Sequence, residues 1–183
     1  LLMAQGLLSV SNIFASLYAD LDLKREPMSG GRQMGGHFMT ANKNQSNEWL
    51  NLLKIKNHSG DISPTGSQMP RLLGLAQASK IYRNLKIKNS KNFSDKGNEI
   101  AWGTIGNAST SEGMFFEAIN AAGVLQVPMV ISIWDDGYGI SVSNEEQTTK
   151  QSISEALKGF QRTNAEKGFE ILSVNGWDYL SLI

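Results

Sequence analysis

Apolar residues recur at intervals of three and four over the first 19 positions, which predicts an amphipathic helix over residues 1–19. The residues of this apolar face are Leu2, Met3, Leu7, Leu8, Ile13, Phe14, Leu17 and Tyr18. Further helices are predicted over residues 68–85, 111–125 and 152–162, with another beginning at Asp178 and a short one within 48–58.

Three short apolar segments between these helices have the length and composition of strands. They cover residues 99–105, 128–134 and 169–174, and the second is rich in β-branched residues, as buried strands are. Strands that alternate with helices predict an α/β fold, with a parallel sheet flanked by helices on both faces.

Two polar segments separate these elements. Residues 20–47 are rich in glycine and predict an ordered excursion or a mobile loop, and residues 86–97 are rich in Lys, Asn and Ser and predict a surface loop. A length of 183 residues suits one domain. Because the chain opens inside an amphipathic run and ends on uncapped apolar residues, we interpret residues 1–183 as a single domain truncated at both ends.

Charge and composition argue against several classes of function. The chain has 17 Lys and Arg against 17 Asp and Glu, so it lacks the basic excess of a nucleic-acid-binding protein. It has no Cys, which excludes thiolate metal sites and fits a reducing compartment. No apolar stretch approaches the roughly 18 residues that span a bilayer, and we expect the first residues not to be a signal peptide, because no basic region precedes the apolar run. We expect a cytoplasmic protein that binds neither nucleic acid nor membrane.

Candidate chemistry begins where the first predicted strand runs into a helix. This segment, residues 103–113, reads GTIGNASTSEG. In α/β sheets ligands bind at the carboxyl ends of strands, and a helix N-terminus there offers free N–H groups to an anion. The pattern predicts a phosphate site, although a plain strand-to-helix turn with a Ser or Thr cap would give the same sequence.

The next predicted strand ends at residue 134 and is followed by Asp135 and Asp136. The two strand ends would place Asn107 and Asp136 side by side. Magnesium commonly takes one or two carboxylates together with phosphate oxygens. An amide, a carboxylate and a backbone carbonyl beside a diphosphate would therefore satisfy it. Taken alone, the pair of aspartates equally suits a turn.

Four motifs, in this order, resemble those of the α subunits of thiamine-diphosphate-dependent 2-oxo acid dehydrogenases, the branched-chain type best. Residues 31–37 (GRQMGGH) are similar to Gly-Arg-Gln-Met-Pro-Gly-His, and residues 63–70 (SPTGSQMP) to Ser-Pro-Leu-Ala-Thr-Gln-Ile-Pro. Residues 106–113 (GNASTSEG) are similar to Gly-Asp-Gly-Ala-Thr-Ser-Glu-Gly, and residues 135–141 (DDGYGIS) to Asn-Asn-Gly-Tyr-Ala-Ile-Ser. The resemblance implies the diphosphate-binding domain of the thiamine-diphosphate-binding fold.

The resemblance also implies a role for each matching residue. Asn107 and Asp136 would bind magnesium through their side chains, and Tyr138 through its backbone carbonyl. His37 would be the catalytic residue on the substrate side. The residues that would contact thiamine diphosphate are Ser63, Thr65, Gly106, Asn107, Ala108, Ser109, Asp136, Tyr138 and Ile140. Ser63, Pro64, Ser67 and Gln68 match a loop that binds a structural potassium ion in some members.

Several of these positions depart from the family motifs, and four of the departures bear on the metal and cofactor site. Asn107 stands where the family has Asp, and Asp136 where it has Asn. One carboxylate and one amide remain, so we expect magnesium binding to be kept; the alternative is a weakened site. Ala108 replaces a glycine, which would cost about 1 kcal/mol if the position requires a positive φ. Thr65 replaces a larger apolar residue beneath the cofactor.

The reaction implied by the resemblance is oxidative decarboxylation of a 2-oxo acid, such as 2-oxoisovalerate or pyruvate, with acyl transfer to a lipoyl-bearing acyltransferase. In the family the cofactor lies between this domain and a β-type subunit or domain. No segment here resembles that partner, so we expect an oligomer, with this part inactive alone.

Two alternatives remain open. One is a non-catalytic relative with an assembly role, in which the Asn107/Asp136 exchange marks lost metal binding. The other is a generic phosphate- or nucleotide-binding α/β module, but the chain lacks the Gly-x-Gly-x-x-Gly and Gly-Lys-Ser/Thr loops of such modules.

Overall fold

The computed structural model describes residues 1–34, 37–88 and 90–183. Gly35 and Gly36 of the 31–37 motif, and Asn89 of the predicted surface loop, lie outside the described residues. The chain divides into two compact units. Unit 1 is Leu1–Pro64 with Tyr82–Asn98, and unit 2 is Thr65–Ile81 with Glu99–Ile183.

Unit 1 begins with helix α1, Val10–Leu17, which is much shorter than the predicted helix over residues 1–19. Gly6 interrupts the segment with a φ of +72°. Ser9 then starts a new helix, since its Oγ accepts a hydrogen bond from the Asn12 N–H at 3.2 Å and its own N–H donates to Asn12 Oδ1 at 2.9 Å. This reciprocal cap sets the helix start, and apolar periodicity alone does not reveal it.

The polar part of unit 1 forms turns and bridges in its described residues. The short helix predicted within 48–58 is reduced to a 3-10 turn at Leu52–Lys54, and Lys43 pairs with Trp49 in an antiparallel bridge. The predicted surface loop contains a 3-10 turn at Ser90–Asn92. Trp49 packs edge-on against Phe93, with ring centroids 5.2 Å apart.

The other helices and strands follow in chain order. They are α2 (Gln68–Asn84), β1 (Ala101–Gly106), α3 (Gly113–Leu125), β2 (Met129–Trp134), β3 (Tyr138–Gly139), β4 (Val142–Ser143), α4 (Asn144–Gln147), α5 (Ile153–Ala156) and α6 (Tyr179–Leu182). The predictions for α2, β1, α3 and β2 are confirmed to within two residues at each end. The predicted helix start at Asp178 is also confirmed, since this side chain accepts from the N–H groups of the first turn of α6.

The sheet that α2 and α3 cover consists of β1 and β2 in parallel, from the Ala101↔Met129 pair to the Gly106↔Trp134 pair. Every second residue faces a core built with Met69 and Leu72 of α2 and Phe115 of α3. The sheet residues on this face are Ala101, Ile105, Met129, Ile131 and Ile133. A Cβ added to Gly103 would lie 2.6 Å from Leu72, so α2 packs directly on the strand.

The opposite face of this sheet is exposed, which differs from the predicted cover on both faces. Trp102 is 71% exposed and Trp134 is 63% exposed, and Val130, the register partner of Trp102, is exposed as well. Within the described residues, the structure is a mixed α/β fold with a small parallel sheet and one packed sheet face.

Two predictions in the last third of the chain are wrong. Residues 169–174 are not a strand; Phe169 makes one parallel bridge to Gln161 and packs on the core, and no neighbouring strand extends the pairing. The helix predicted over 152–162 ends at Ala156, and a 3-10 turn at Lys158–Phe160 follows, with Gly159 at its centre. Glycine disfavours helix continuation because it loses the most conformational freedom on folding.

No helix among the described residues has both the length and the apolar character to cross a membrane.

Candidate functional site

The carboxyl ends of β1 and β2 lie at one edge of the sheet and carry predicted site residues. Gly106 and Trp134 are the last paired residues of the two strands. Asn107 follows directly, and its N–H donates to the Trp134 carbonyl oxygen at 3.2 Å. Asp135 and Asp136 follow on the other strand, so the sheet brings together the two segments that the motifs identified.

Asn107 is 4% exposed and begins the turn that leads to α3. Its carbonyl oxygen accepts from the Thr110 hydroxyl at 2.6 Å and from the Thr110 N–H at 3.1 Å. Ala108 and Ser109 lie in the 3-10 turn Ala108–Ser111 that these bonds close. Ala108 is not among the non-glycine residues with positive φ in the described part of the chain, so the strain considered for this substitution does not arise.

Asp136 lies on the stretch that connects β2 to the β3–β4 hairpin, and Tyr138 is the first residue of that hairpin, an element not anticipated from sequence. The exposed Asp136 accepts the Tyr138 N–H at 3.2 Å through Oδ1. The Asn144 N–H donates to the Gly137 carbonyl at 2.9 Å. Since hydrogen-bonded and non-hydrogen-bonded pairs alternate in antiparallel ladders, the Tyr138↔Ser143 pair is non-hydrogen-bonded. The Tyr138 carbonyl therefore points away from β4, towards the side on which Asp136 accepts its N–H.

A chain of side-chain hydrogen bonds links the two segments through a residue that the motifs did not identify. Asn107 Nδ2 donates to Asn144 Oδ1 at 2.8 Å, and Asn144 Nδ2 donates to Asp135 Oδ1 at 2.9 Å. The same Asp135 oxygen accepts the Gly137 N–H at 3.0 Å. Asn144 is the first residue of α4, and no local sequence signal indicates that it would contact Asn107, 37 positions earlier.

The turn and the hairpin also touch through their smallest residues. A Cβ added to Gly139 would lie well inside contact distance of the Ala108 methyl group and 2.7 Å from Gln147 Nε2. The family motifs quoted above have Gly at the position of Ala108 and Ala at the position of Gly139. This chain therefore carries the methyl group on the opposite side of the contact.

Ile140 forms the hairpin turn with Ser141 and is a conformational outlier. It has a φ of 59° and a relative exposure of 104%. A β-branched residue in the left-handed region is strained, by about 1 to 3 kcal/mol, and such strain clusters at functional sites. Its packing in this structure does not account for the choice of isoleucine.

The remaining predicted residues are divided between the units. In unit 1, the exposed His37 has its Nε2 2.5 Å from Ser63 Oγ, so two residues from separate motifs share a hydrogen bond. In unit 2, Thr65 is exposed and precedes Gly66, which has a φ of +80°. Gly66 packs against the side chain of Glu112 at the start of α3. Of the predicted potassium-loop residues, Gln68 donates to the Thr104 carbonyl at 3.3 Å.

Glu26 is a buried carboxylate that sequence reasoning missed. It is 0% exposed and accepts hydrogen bonds from the N–H groups of Met28, Ser29 and Gly31 at 2.8 to 2.9 Å, and from the Ser29 hydroxyl at 2.8 Å. Burial by itself would raise the pKa of Glu26, but these hydrogen bonds outweigh it and lower the pKa from 4.5. Glu26 thereby holds the start of the 31–37 motif.

In the described residues, no three or more His, Cys, Asp or Glu side chains gather in a way that could hold a metal ion. The candidate ligand set at the sheet edge is of another kind, because it combines one carboxylate, one side-chain amide and one backbone carbonyl. Such oxygen donors suit magnesium, which retains waters and takes further oxygens from phosphate.

Comparison with known proteins agrees with the motifs. A family model described as the dehydrogenase E1 component matches residues 2–182. The chain is similar to the 2-oxoisovalerate dehydrogenase subunit alpha of Bacillus subtilis, with 30% identity over 86% of this chain and 38% of the relative. It is also similar to the pyruvate dehydrogenase E1 component subunit alpha of Zymomonas mobilis, with 31% identity over 64% of this chain and 27% of the relative.

A third relative is the mitochondrial 2-oxoisovalerate dehydrogenase subunit alpha 1 of Arabidopsis thaliana, which is 28% identical over 83% of this chain and 25% of the relative. The chain thus spans 25% to 38% of the length of these relatives. Because the family model matches nearly the whole chain and the motifs lie in the family's order, the chain belongs to the dehydrogenase E1 component family.

Proposed function

We propose that this chain is the diphosphate- and magnesium-binding part of a thiamine-diphosphate-dependent 2-oxo acid dehydrogenase of the α type. The observation that carries the proposal is the sheet edge itself. There Asn107, Asp136 and the Tyr138 carbonyl follow the paired ends of β1 and β2. The substrate would be a 2-oxo acid such as 2-oxoisovalerate or pyruvate.

The donor set at this edge fits a magnesium ion. The Asp136 carboxylate is exposed, and the Tyr138 carbonyl faces away from β4, so both are free of the hairpin's own ladder. Asn107 is buried and supplies a side-chain amide whose nitrogen donates to Asn144 Oδ1. Magnesium held here would neutralise negative charge on a diphosphate. The exchanged residues still supply one carboxylate and one amide, so the net charge of the protein ligands would be the same as in the family motifs.

The end of β1 fits a diphosphate. Gly106 is exposed, and a Cβ added there would meet no atom within 4 Å, so the protein's own packing does not require glycine. Close approach of a ligand to the backbone does require it. Ala108 and Ser109 would line the same diphosphate, with Ile140 from the hairpin turn, and Thr65 of the same unit would contact the thiamine end.

The chemistry divides between cofactor and protein. Bound thiamine diphosphate would supply a carbon nucleophile that can accept the electron pair released when carbon dioxide leaves the substrate. His37 would face the substrate and hold a proton or a hydrogen bond there, with its ring oriented by Ser63. A β-type subunit or domain would complete the site in an oligomer, and the acyl group would pass to a lipoyl-bearing acyltransferase. The compartment of this activity would be the cytoplasm.

The experiment that tests the metal site is calorimetric titration of thiamine diphosphate into the full chain with its β-type partner, with and without magnesium. We expect magnesium-dependent binding that is lost when Asn107→Ala and Asp136→Ala are combined. A folded, assembled protein that binds no cofactor under any of these conditions would contradict the proposal and favour the non-catalytic relative.

Two glycines of β1 provide a matched pair of variants that tests whether a diphosphate binds at the end of this strand. Gly106→Ala should leave the thermal unfolding midpoint unchanged or slightly higher and should weaken cofactor binding, because the new methyl group would meet only the ligand. Gly103→Ala should lower stability by about 1 to 3 kcal/mol through its collision with Leu72. Equal cofactor binding by the Gly106→Ala variant and the unmodified protein would argue against a diphosphate at this position.

A further inference from the structure

Asp135 determines which groups donate and which accept in the series of hydrogen bonds that runs from Asn107 through Asn144 to Asp135. A carboxylate only accepts hydrogen bonds, so the Asn144 group that meets Asp135 at 2.9 Å must be the amide nitrogen. The Asn144 oxygen is then turned towards Asn107 and can be met only by a donor. The group of Asn107 that lies 2.8 Å from it must therefore also be the amide nitrogen.

This donor and acceptor order determines which end of the Asn107 amide remains for a ligand. The side-chain nitrogen of Asn107 donates to Asn144, so the side-chain oxygen of Asn107 lies on the other side of its amide group. A metal ion binds the oxygen of an amide and not the nitrogen. The same requirement would not arise with Asp at this position, because both ends of a carboxylate can bind a metal ion.

We propose that Asn144, held by Asp135, is a positioning residue that turns the Asn107 oxygen towards the magnesium ion, and that it makes Asn workable where the family motif has Asp. The inference rests on the proposed function, and it deepens it by assigning roles to Asn144 and Asp135. Groups that orient metal ligands in this way typically change metal affinity by about 10- to 100-fold when they are removed.

A double-mutant cycle tests the proposal through metal affinity and does not depend on turnover. The probe is Mn²⁺, whose free concentration is followed by electron paramagnetic resonance in the presence of thiamine diphosphate, with the full chain and its β-type partner. With Asn107 in place, Asn144→Ala should weaken Mn²⁺ binding about 10-fold. With Asn107→Asp in place, the same Asn144→Ala change should leave the affinity unchanged or raise it.

The result expected in the Asn107→Asp background follows from the donor and acceptor order of the hydrogen bonds. In the Asn107→Asp protein, the Asn144 oxygen would face a carboxylate, and removing Asn144 relieves that repulsion. A purely structural role for Asn144 would weaken Mn²⁺ binding equally in both backgrounds, and that result would overturn the proposal. Asn120→Ala, which removes an exposed amide from α3, is the control and should change neither affinity.

Asp135 offers an independent pair of variants if Asn144→Ala does not fold. Asp135→Asn and Asp135→Ala remove the same charge, but Asn can keep an oxygen where the Gly137 N–H now holds Asp135 Oδ1. The donor and acceptor order of the hydrogen bonds is kept in Asp135→Asn and is lost in Asp135→Ala. We expect Asp135→Ala to weaken Mn²⁺ binding several-fold more than Asp135→Asn, and equal affinities would contradict the proposal.

The failure of this inference differs from the failure of the proposed function. If the unmodified protein binds neither Mn²⁺ nor thiamine diphosphate, the proposed function is wrong. If it binds both, but the Asn144 and Asn107 effects are additive, the proposed function stands and the positioning role is wrong.

Discussion

A carboxylate can be buried when backbone N–H groups replace the water that it loses, and Glu26 is such a case. Three N–H groups and one hydroxyl donate to it. Two of these groups belong to Ser29, and the last belongs to Gly31, the first residue of the motif that ends at His37. Glu26 therefore couples the stability of unit 1 to the backbone conformation at the start of this motif.

The first prediction concerns Glu26→Gln and its pH dependence. Because the pKa of Glu26 in the folded chain is below 4.5, its contribution to stability is complete above about that pH and is lost as the pH falls through the folded pKa. Near neutral pH, Glu26→Gln should lower the free energy of unfolding by about 2 kcal/mol, since hydrogen bonds to a charged group are replaced by weaker ones.

Urea unfolding at several pH values measures this effect. The difference between Glu26→Gln and the unmodified chain should shrink as the pH falls below the folded pKa. Glu117→Gln, an exposed change on α3, serves as the control and should show no such difference. A difference that is constant from neutral to acid pH would mean that the charge of Glu26 does not contribute.

The roles of single residues divide by whether their partners are local. Asn107, Asp136 and Tyr138 could be selected from motifs because the motifs themselves contain them. Glu26 and Asn144 could not, because a buried carboxylate in a loop and an asparagine at a helix start look like ordinary surface residues in the sequence. Only folding brings their hydrogen-bond partners to them.

At the scale of elements, the turn after β1 and the β3–β4 hairpin act as one unit. Ala108 of the turn and Gly139 of the hairpin occupy one contact, which has room for a single methyl group. Asp135 and Asn144, which lie on either side of the hairpin in the chain, are linked to Asn107 at the start of the turn through side-chain hydrogen bonds. The geometry of the candidate metal site thus depends on how closely the hairpin approaches the turn.

The second prediction tests this approach. Gly139→Ala should destabilise the chain by about 1 to 3 kcal/mol, as overpacking does, because its methyl group would collide with that of Ala108. Adding Ala108→Gly should recover most of the loss. Thermal unfolding of the two single variants and the double variant measures the coupling, and independent, additive effects would show that the two residues do not share a contact.

The accuracy of the element predictions depended on how local each signal is. The helices α2 and α3 and the strands β1 and β2 have strong patterns of their own and were predicted to within two residues. A strand also needs a neighbour, and Phe169 finds only the single bridge to Gln161. The β3–β4 hairpin was missed because its strands have two residues each, too few for an alternating pattern.

At the scale of the whole molecule, the exposed face of the β1–β2 sheet stands out. Trp102 and Val130 are paired neighbours on this face, and Trp134 lies at its far end. Contiguous exposed apolar patches generally mark surfaces that associate. The neutral formal charge of the chain provides no electrostatic repulsion to oppose this.

The third prediction is that the 183-residue chain alone associates with itself through this face. Combining Trp102→Arg with Trp134→Arg should reduce the association without lowering the thermal unfolding midpoint, since neither side chain packs in the core. Light scattering over a range of concentrations gives the measurement. Trp177→Arg, which changes an exposed tryptophan outside the sheet, should leave the association unchanged, and a monomer at every concentration would refute the prediction.

Local information in the sequence was sufficient for the family, the α/β class, the main helices and strands, and the residues placed at the ends of β1 and β2. Periodicity and motifs require only residues close together in the chain. The register that puts Asn107 beside Asp135, the amide direction imposed through Asn144, the burial of Glu26 and the exposed sheet face required the folded chain. Each depends on groups distant in sequence, and their contacts form only when the backbone closes around them.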